Sequence, residues 1–507
     1  MHIATQFSIF FSSIGSILIN PYQLLLLFGS VLLGVVFGAL PGLTATLGVA
    51  LLTTLTYSLP MQSAMIALMG IYVGAVYGGS YGSIMINIPG TAAAAATAME
   101  GYPMALQGKA GKALGLTTTS SAIGTTIGMM FLVVFTPLIM RLALQFTSFE
   151  FFLLAFFGIM ISGSISCPDT VQKGWIMGFL GLFLAMVGRD QLQVYPRYTF
   201  GIMSLEGGIE VVPVLIGAFG IPQIIQVLKD RQIVPEPMKV NKLLPSWGDI
   251  IKYFPNTVRS ALIGVGIGAV PGIGEDIAAW VAYGTAKKTS KHPELFGTGT
   301  EEGIIASETA NNSCIGGAMI PLLSMGIPGS PPAAMLLGAL LLHGVAPGPM
   351  LEIERPGFTL QISAILLLAS FAMWIVGMLL AKQVIKLLHV PPALFMPVVA
   401  VLCLIGSYAL GLKVFNLYLL IPVGIVTYYL TNMGYPIPPL VIGVILGGMA
   451  DANLRRGLMV SQGSLLPFIT RPVSLILVLV ILFTFLTNTE IYRRVVMKVR
   501  ASLKRQK

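Results

Sequence analysis

The sequence predicts an all-α polytopic membrane protein of about 12 transmembrane helices, some of them broken or re-entrant, arranged as two inverted repeats. Three observations carry this. Hydrophobic residues make up 55% of the 507 and charged residues only 9%, against about 25% charged in a soluble domain. Segments of membrane-spanning length alternate with short polar stretches. Pro-Gly pairs interrupt some of these segments at matched places in the two halves. The 29 basic and 19 acidic side chains could not clothe the roughly two to four soluble domains expected at this length.

Residues 1–21 lack the basic start of a secretory signal and read as a retained segment lying in the membrane interface. Apart from His2, no acidic or basic side chain precedes Glu100, so this stretch belongs in or on the bilayer. The apolar run 22–59 is broken at Pro41-Gly42, and a second break falls at Pro89-Gly90. Spans follow at 113–140, 149–166, 174–188 and 208–227, completing a first repeat half over 1–228. Residues 229–256 carry Lys229, Arg231, Lys239, Lys242 and Lys252 against Asp230, Glu236 and Asp249, with Pro235 and Pro237, and read as a cytoplasmic linker. The second half, 257–507, opens with the run 257–286, broken at Pro271-Gly272, and breaks again at Pro328-Gly329. Spans at 358–381, 392–412, 414–432 and 437–455 precede an extra C-terminal helix at 472–489 and a basic cytoplasmic tail from Arg493 to Lys507.

An internal repeat accounts for the matched breaks. Residues 37–43 align with 267–273 at an offset of 230, and Ile88-Pro89-Gly90-Thr91 with Ile327-Pro328-Gly329-Ser330 at an offset of 239. The difference is an insertion within 287–303. Placing Lys109, Lys112, Lys173 and the linker inside leaves Arg141, Arg189 and Arg197 outside, as the positive-inside rule requires. Counting back from a cytoplasmic C-terminus puts Glu352–Arg355 outside, which makes the repeats inverted and sets the N-terminus outside.

Several chemistries lack support. The net charge of +10 follows the positive-inside pattern rather than a nucleic-acid footprint. Cys167, Cys314 and Cys403 show no CxxC spacing, the four histidines form no metal motif, and no phosphate-binding loop occurs. Energy must therefore come from an ion gradient or a partner.

A helix broken inside a membrane leaves backbone groups that lipid cannot satisfy, so each break is a candidate site. A half-helix N-terminus suits a carboxylate and unwound carbonyls suit a cation, and inverted repeats bring two such ends together. Carboxylate contact is expected at Pro41, Gly42, Leu43, Thr44, Ser83, Gly90, Thr91, Pro271, Gly272, Gly274, Gly329 and Ser330. Cation coupling is expected at Asn87, Glu275, Glu308, Asn311 and Asn312. Glu275, Asp276, Glu308 and Asp451 lie in or beside apolar runs, where an ionised acid costs at least about 2.5 kcal/mol, so each meets a cation or takes up a proton. Glycine rows such as Gly70, Gly74 and Gly78 instead read as helix-packing surfaces.

The motifs Gly38-Ala-Leu-Pro-Gly-Leu43, Tyr77-Gly-Gly-Ser-Tyr-Gly-Ser83, Asn87-Ile-Pro-Gly90, Gly268-Ala-Val-Pro-Gly-Ile-Gly-Glu275, Glu308-Thr-Ala-Asn-Asn-Ser313 and Gly326-Ile-Pro-Gly329 resemble those of the large membrane subunit, the TctA type, of the tripartite tricarboxylate transporter family. The resemblance spans most of residues 22–455. It implies a multi-pass permease of the bacterial inner membrane, working with a small membrane subunit of about four helices and a periplasmic solute-binding protein. It also implies secondary active import of a tricarboxylate or other carboxylate anion with sodium ions or protons. No cofactor beyond that coupling ion, no enzymatic activity and no nucleic-acid partner are expected. A passive organic-anion channel could use the same broken helices, but would never concentrate its substrate. An intramembrane acid-base enzyme would need a nucleophile and base pair that the sequence lacks.

Overall fold

The computed structural model describes residues 3–190, 192–230, 238, 240, 243, 247–409 and 412–488. The basic tail, His2 and the linker residues Arg231, Pro235, Glu236, Pro237, Lys239 and Lys242 lie outside them. The described chain is helical apart from one two-stranded ribbon, Gly188–Arg189 with Pro196–Arg197. The first half contains α1 (Ile3–Ile19), α2 (Pro21–Ala39), α3 (Ala45–Leu55), α4 (Met61–Ile86), α5 (Ala94–Met104), α6 (Ala110–Ala143), α7 (Ser148–Ser166), α8 (Val171–Ala185), α9 (Met203–Glu206) and α10 (Val211–Asp230). The second contains α11 (Trp247–Lys252), α12 (Phe254–Gly268), α13 (Gly274–Thr289), α14 (Glu301–Met325), α15 (Pro331–Leu342), α16 (Leu351–Glu354), α17 (Phe358–Leu379), α18 (Ala381–Leu387), α19 (Met396–Ala409), α20 (Val414–Asn432), α21 (Ile437–Val460), α22 (Pro467–Thr470) and α23 (Pro472–Thr487). Among the described residues nine helices are long and apolar enough to cross a bilayer; α8 and α23, expected as spans, have only 15 and 16 residues.

All four Pro-Gly breaks separate helices: α2 from α3, α4 from α5, α12 from α13 and α14 from α15. At the first break of each repeat the glycine is left-handed, Gly42 at φ +91° and Gly272 at +74°. At the second, each long helix ends on a left-handed residue, Asn87 at φ 56° and Gly326 at 72°. The next helix is capped by a hydroxyl, Thr91 onto the Ala94 N–H and Ser330 onto the Ala333 N–H. The insertion is the α13–α14 loop, residues 290–300, against the short α3–α4 turn.

The repeats also share their internal packing. A Cβ on Gly34, Gly38 or Gly78 would fall 2.1 to 2.5 Å from the carbonyl oxygens of Ile71, Ala75 and Val35. Their counterparts Gly264, Gly268 and Gly317 face Ala310, Cys314 and Val265 at 2.2 to 2.5 Å. Each partner is displaced by 230 or 239 residues. Backbone-to-backbone contact of this kind is how helices associate where lipid offers no hydrophobic drive.

The chain forms two compact units that do not follow its order. Residues 1–144 with 212–428 make the first, which holds all four breaks, and residues 145–211 with 429–507 make the second. In the second, α21 packs on α7 and α8 through Gly181 and Gly443. Beside them lies a charge network. The buried Asp190 carboxylate accepts from the N–H groups of Leu192 and Gln193 at 2.7 and 2.9 Å. It also pairs with Arg455, and with Arg197 at 3.4 Å. Asp451 pairs with Arg197 at 2.8 Å and Arg455 at 3.7 Å. The acid the sequence left open is therefore met by arginines. The Arg455 hydrogen bond holds the Asp190 carboxyl well below the usual carboxylate range.

Candidate functional site

Gly90 and Gly329 are where each repeat closes on itself. A Cβ on Gly90 would sit 1.7 Å from the Gly38 carbonyl oxygen, and one on Gly329 would sit 2.0 Å from that of Gly268. Only glycine permits these approaches, which bring the two breaks of each repeat together. In the second repeat the Gly272 N–H also donates to the Pro328 carbonyl at 3.3 Å.

The two sets of breaks differ in exposure. Pro271, Gly272 and Ile327 to Ser330 are buried, whereas Gly42, Thr44, Ile88, Pro89 and Thr91 are half-buried. Pro41, Gly42, Ile88 and Pro89 line a cavity of about 430 Å³ together with Gln223, Gln226, Val227 and Pro391 to Ala393. It stands at the C-terminal end of α10, and among the described residues its wall carries two hydrogen-bonding side chains, Gln223 and Gln226, and no charged one. Gln223 lies over the first break, its amide nitrogen 3.2 Å from where a Cβ on Gly42 would be. An anion here would meet neutral donors: amide N–H groups and the backbone of the breaks.

The second repeat brings its acid to the first repeat's long helix. Tyr72 of α4 donates to Glu275, and its oxygen lies 2.8 Å from the Ser330 hydroxyl. All three side chains are buried. Gly274, at φ +79°, packs on Ser330 and Pro331, so the carboxylate carrier and the α15 cap are held together. Asp276, one residue on, is exposed.

Glu308 is the second buried acid, with 0% of its surface exposed. One oxygen accepts from Ser80 at 2.6 Å and Thr97 at 2.5 Å, the other from Ser121 at 2.9 Å. Thr97 in turn lies 3.0 Å from the Ser307 hydroxyl. Three helices of the first repeat thus converge on an acid of the second. Ser80 and Tyr72 are eight residues apart on α4, about 12 Å along its axis, so α4 carries the hydroxyl partners of both acids. Neither acid is ion-paired among the described residues.

Other expected residues are distributed between these places. Asn311 and Asn312 are buried and share a face of α14 with Glu308 by the i, i+3, i+4 spacing. Asn87 is exposed and forms the left-handed end of α4. The Ser83 hydroxyl is engaged with the carbonyls of Gly79 at 3.1 Å and Ala94 at 2.8 Å, tying α4 to α5. Leu43 is buried beside the first break.

Sequence reasoning did not single out Tyr72, Thr97, Ser121, Gln223 or Gln226. One signal was available for Tyr72, which at the 239-residue offset is the counterpart of Asn311. Glu100 was also passed over. Buried completely, it accepts from the Tyr283 hydroxyl at 2.7 Å and from the N–H groups of Gly297, Gly299 and Thr300 at 2.6, 2.8 and 2.9 Å. It fastens the α13–α14 loop to α5. Lys112 closes the same end, on Glu301 at 2.7 Å and Asp249 at 3.4 Å.

Residues 24–442 match the family model described as the tripartite tricarboxylate transporter TctA family. The chain belongs to the TctA family. It is 34% identical over 459 residues, 90% of this chain and 91% of the relative, to an uncharacterised 52.8 kDa protein in the TAR-I ttuC' 3' region of Agrobacterium vitis. An uncharacterised protein in the TAR-II ttuC' 3' region of the same organism is 34% identical over 208 residues, 41% of this chain and 86% of the relative. No solved structure matches the chain. Membership of the TctA family makes this a membrane subunit of a transporter, and its apolar helices agree with a multi-pass membrane protein. All four breaks, Glu275, Glu308 and the cavity fall within the matched residues.

Proposed function

We infer that this TctA-family chain is the permease subunit of a binding-protein-dependent secondary active transporter in the bacterial inner membrane. It imports a tricarboxylate or other carboxylate anion, driven by a sodium or proton gradient. A small membrane subunit and a periplasmic solute-binding protein complete the system, and the C-terminus is cytoplasmic.

One observation carries this reading: two matched pairs of chain breaks share one compact unit, one pair lining a cavity and the other buried. Inverted repeats with breaks at corresponding positions are the usual construction of a transporter's binding centre. The carboxylate is held by N–H and hydroxyl groups around Pro41 to Thr44, Gly90-Thr91, Pro271-Gly272 and Gly329-Ser330. With no arginine among the described residues of the cavity wall, its charge is balanced by helix ends and by a cation near Glu275, Glu308, Asn311 and Asn312. Substrate and cation then bind cooperatively. In this conformation the first repeat's breaks are the accessible ones, and exchanging the roles of the repeats exposes the second set.

The test is reconstitution of the chain with its small partner and binding protein in liposomes, under imposed sodium or proton gradients. Accumulation of a labelled carboxylate above its equilibrium level is the expected result. Flux that stops at equilibrium under every gradient would identify an anion channel instead.

A further inference from the structure

Glu308 has more polar neighbours than the three hydroxyls it engages. Where α6 meets α14, Gly124 packs against the Thr309 carbonyl and Gly128 against that of Ser313, so the two helices run parallel. Ser121 faces Glu308 at 2.9 Å. One turn further along both helices, Thr125 therefore comes opposite Asn312. The first pair is hydrogen-bonded and the second is not.

Thr125 Oγ1, Asn312 Oδ1 and both polar atoms of the Asn311 side chain are buried and find no partner among the described residues. The Asn312 amide nitrogen is already used, donating to the Glu308 carbonyl at 3.0 Å, which fixes its free oxygen on the same face as the carboxylate. Buried polar atoms left unpaired are costly, and several on one face around an unpaired acid point to a ligand between them.

The donors define what that ligand is. Carboxylate, hydroxyl and amide oxygens, without sulfur or imidazole, select a hard cation over a transition metal. One carboxylate balances one positive charge, and a divalent ion would leave a net charge in lipid. The geometry points to a dehydrated monovalent-cation site, with sodium as its ion, between α6 and α14: Glu308 supplies the charge, and Ser121, Thr125, Asn311 and Asn312 supply oxygens. Its role in coupling rests on the permease reading, whereas binding itself does not. Asn87, exposed at the end of α4, is not among its ligands.

Binding is measured on the purified full-length chain in nanodiscs, without substrate, as thermal stability while sodium chloride replaces choline chloride at constant ionic strength. A saturable rise in Tm with sodium is expected, and Glu308→Gln abolishes it. Thr125→Val removes one oxygen without changing charge or volume. In choline its Tm equals or exceeds that of the wild type, since an unpaired buried hydroxyl is gone, and about tenfold more sodium is needed for half the stabilisation. A wild-type Tm indifferent to sodium overturns the site, as does a sodium response that both variants leave unchanged. A Tm that follows pH but not sodium gives Glu308 a proton and overturns it equally. Sodium binding without gradient-driven uptake leaves the site standing and removes the permease reading; a Tm indifferent to sodium together with gradient-driven accumulation of substrate does the reverse.

Discussion

At the scale of single residues, Gly90 and Gly329 are the positions that least tolerate change. A methyl at either would collide with a backbone carbonyl at 1.7 or 2.0 Å, and overpacking of this kind costs about 1–3 kcal/mol or more. Gly90→Ala and Gly329→Ala should therefore lower Tm and the yield of folded protein, while Gly29→Ala, which meets nothing within 4 Å, should not; equal thermal profiles for all three would contradict the close approach. Tyr72 presents a different case, since its ring fills space but its hydroxyl joins Glu275 to Ser330. Tyr72→Phe keeps the packing and deprives the acid of its donor, a loss of about 1–3 kcal/mol for a buried polar group. Uptake should fall at least about tenfold with little change in expression; wild-type uptake would show that the hydroxyl has no part in transport.

At the scale of elements, two fastenings can be separated from the transport site. Glu100 holds the α13–α14 loop by accepting from three backbone N–H groups and Tyr283. Glu100→Gln sets an amide N–H₂ against some of those donors, so hydrogen exchange at 297–300 should accelerate while that of α4 stays slow; unchanged exchange in the loop would deny Glu100 this role. In the second compact unit, the Arg455 hydrogen bond depresses the Asp190 carboxyl, so the native state favours the ionised form. The stabilisation is complete above the ordinary carboxylate pKa of about 4 and fades as pH falls through that value towards the depressed one. Asp190→Asn should lower the stability of this unit at neutral pH and flatten its response to acid, followed by limited proteolysis of 145–211. The elements themselves were largely legible. Each Pro-Gly pair marked a real break: proline cannot continue the hydrogen-bond ladder, Gly42 and Gly272 accept the left-handed turn, and Gly90 and Gly329 allow the close approach of a backbone carbonyl. The position of α8 was less legible: the expected 174–188 and the observed Val171–Ala185 have the same length but are offset by three residues.

At the scale of the whole molecule, the division into two units was hidden, because it joins residues 145–211 to 429–507 across the intervening chain. So was the convergence of Ser80, Thr97 and Ser121 on Glu308: hydroxyls in apolar helices look alike in a sequence, and only packing tells which of them meet an acid. The matched breaks could be read directly, and they predict where a carboxylate passes. A cysteine in place of Gln226 tests this most directly, since that side chain lines the cavity with Pro41, Gly42 and Pro89. The background carries Cys167→Ser, because Cys314 and Cys403 are already buried. In the reconstituted transporter, alkylation of the new cysteine by a membrane-permeant maleimide should slow several-fold when a transported carboxylate and its coupling ion are both present, and less when either is withheld. An alkylation rate that no transported carboxylate alters would contradict passage of the substrate through the paired breaks.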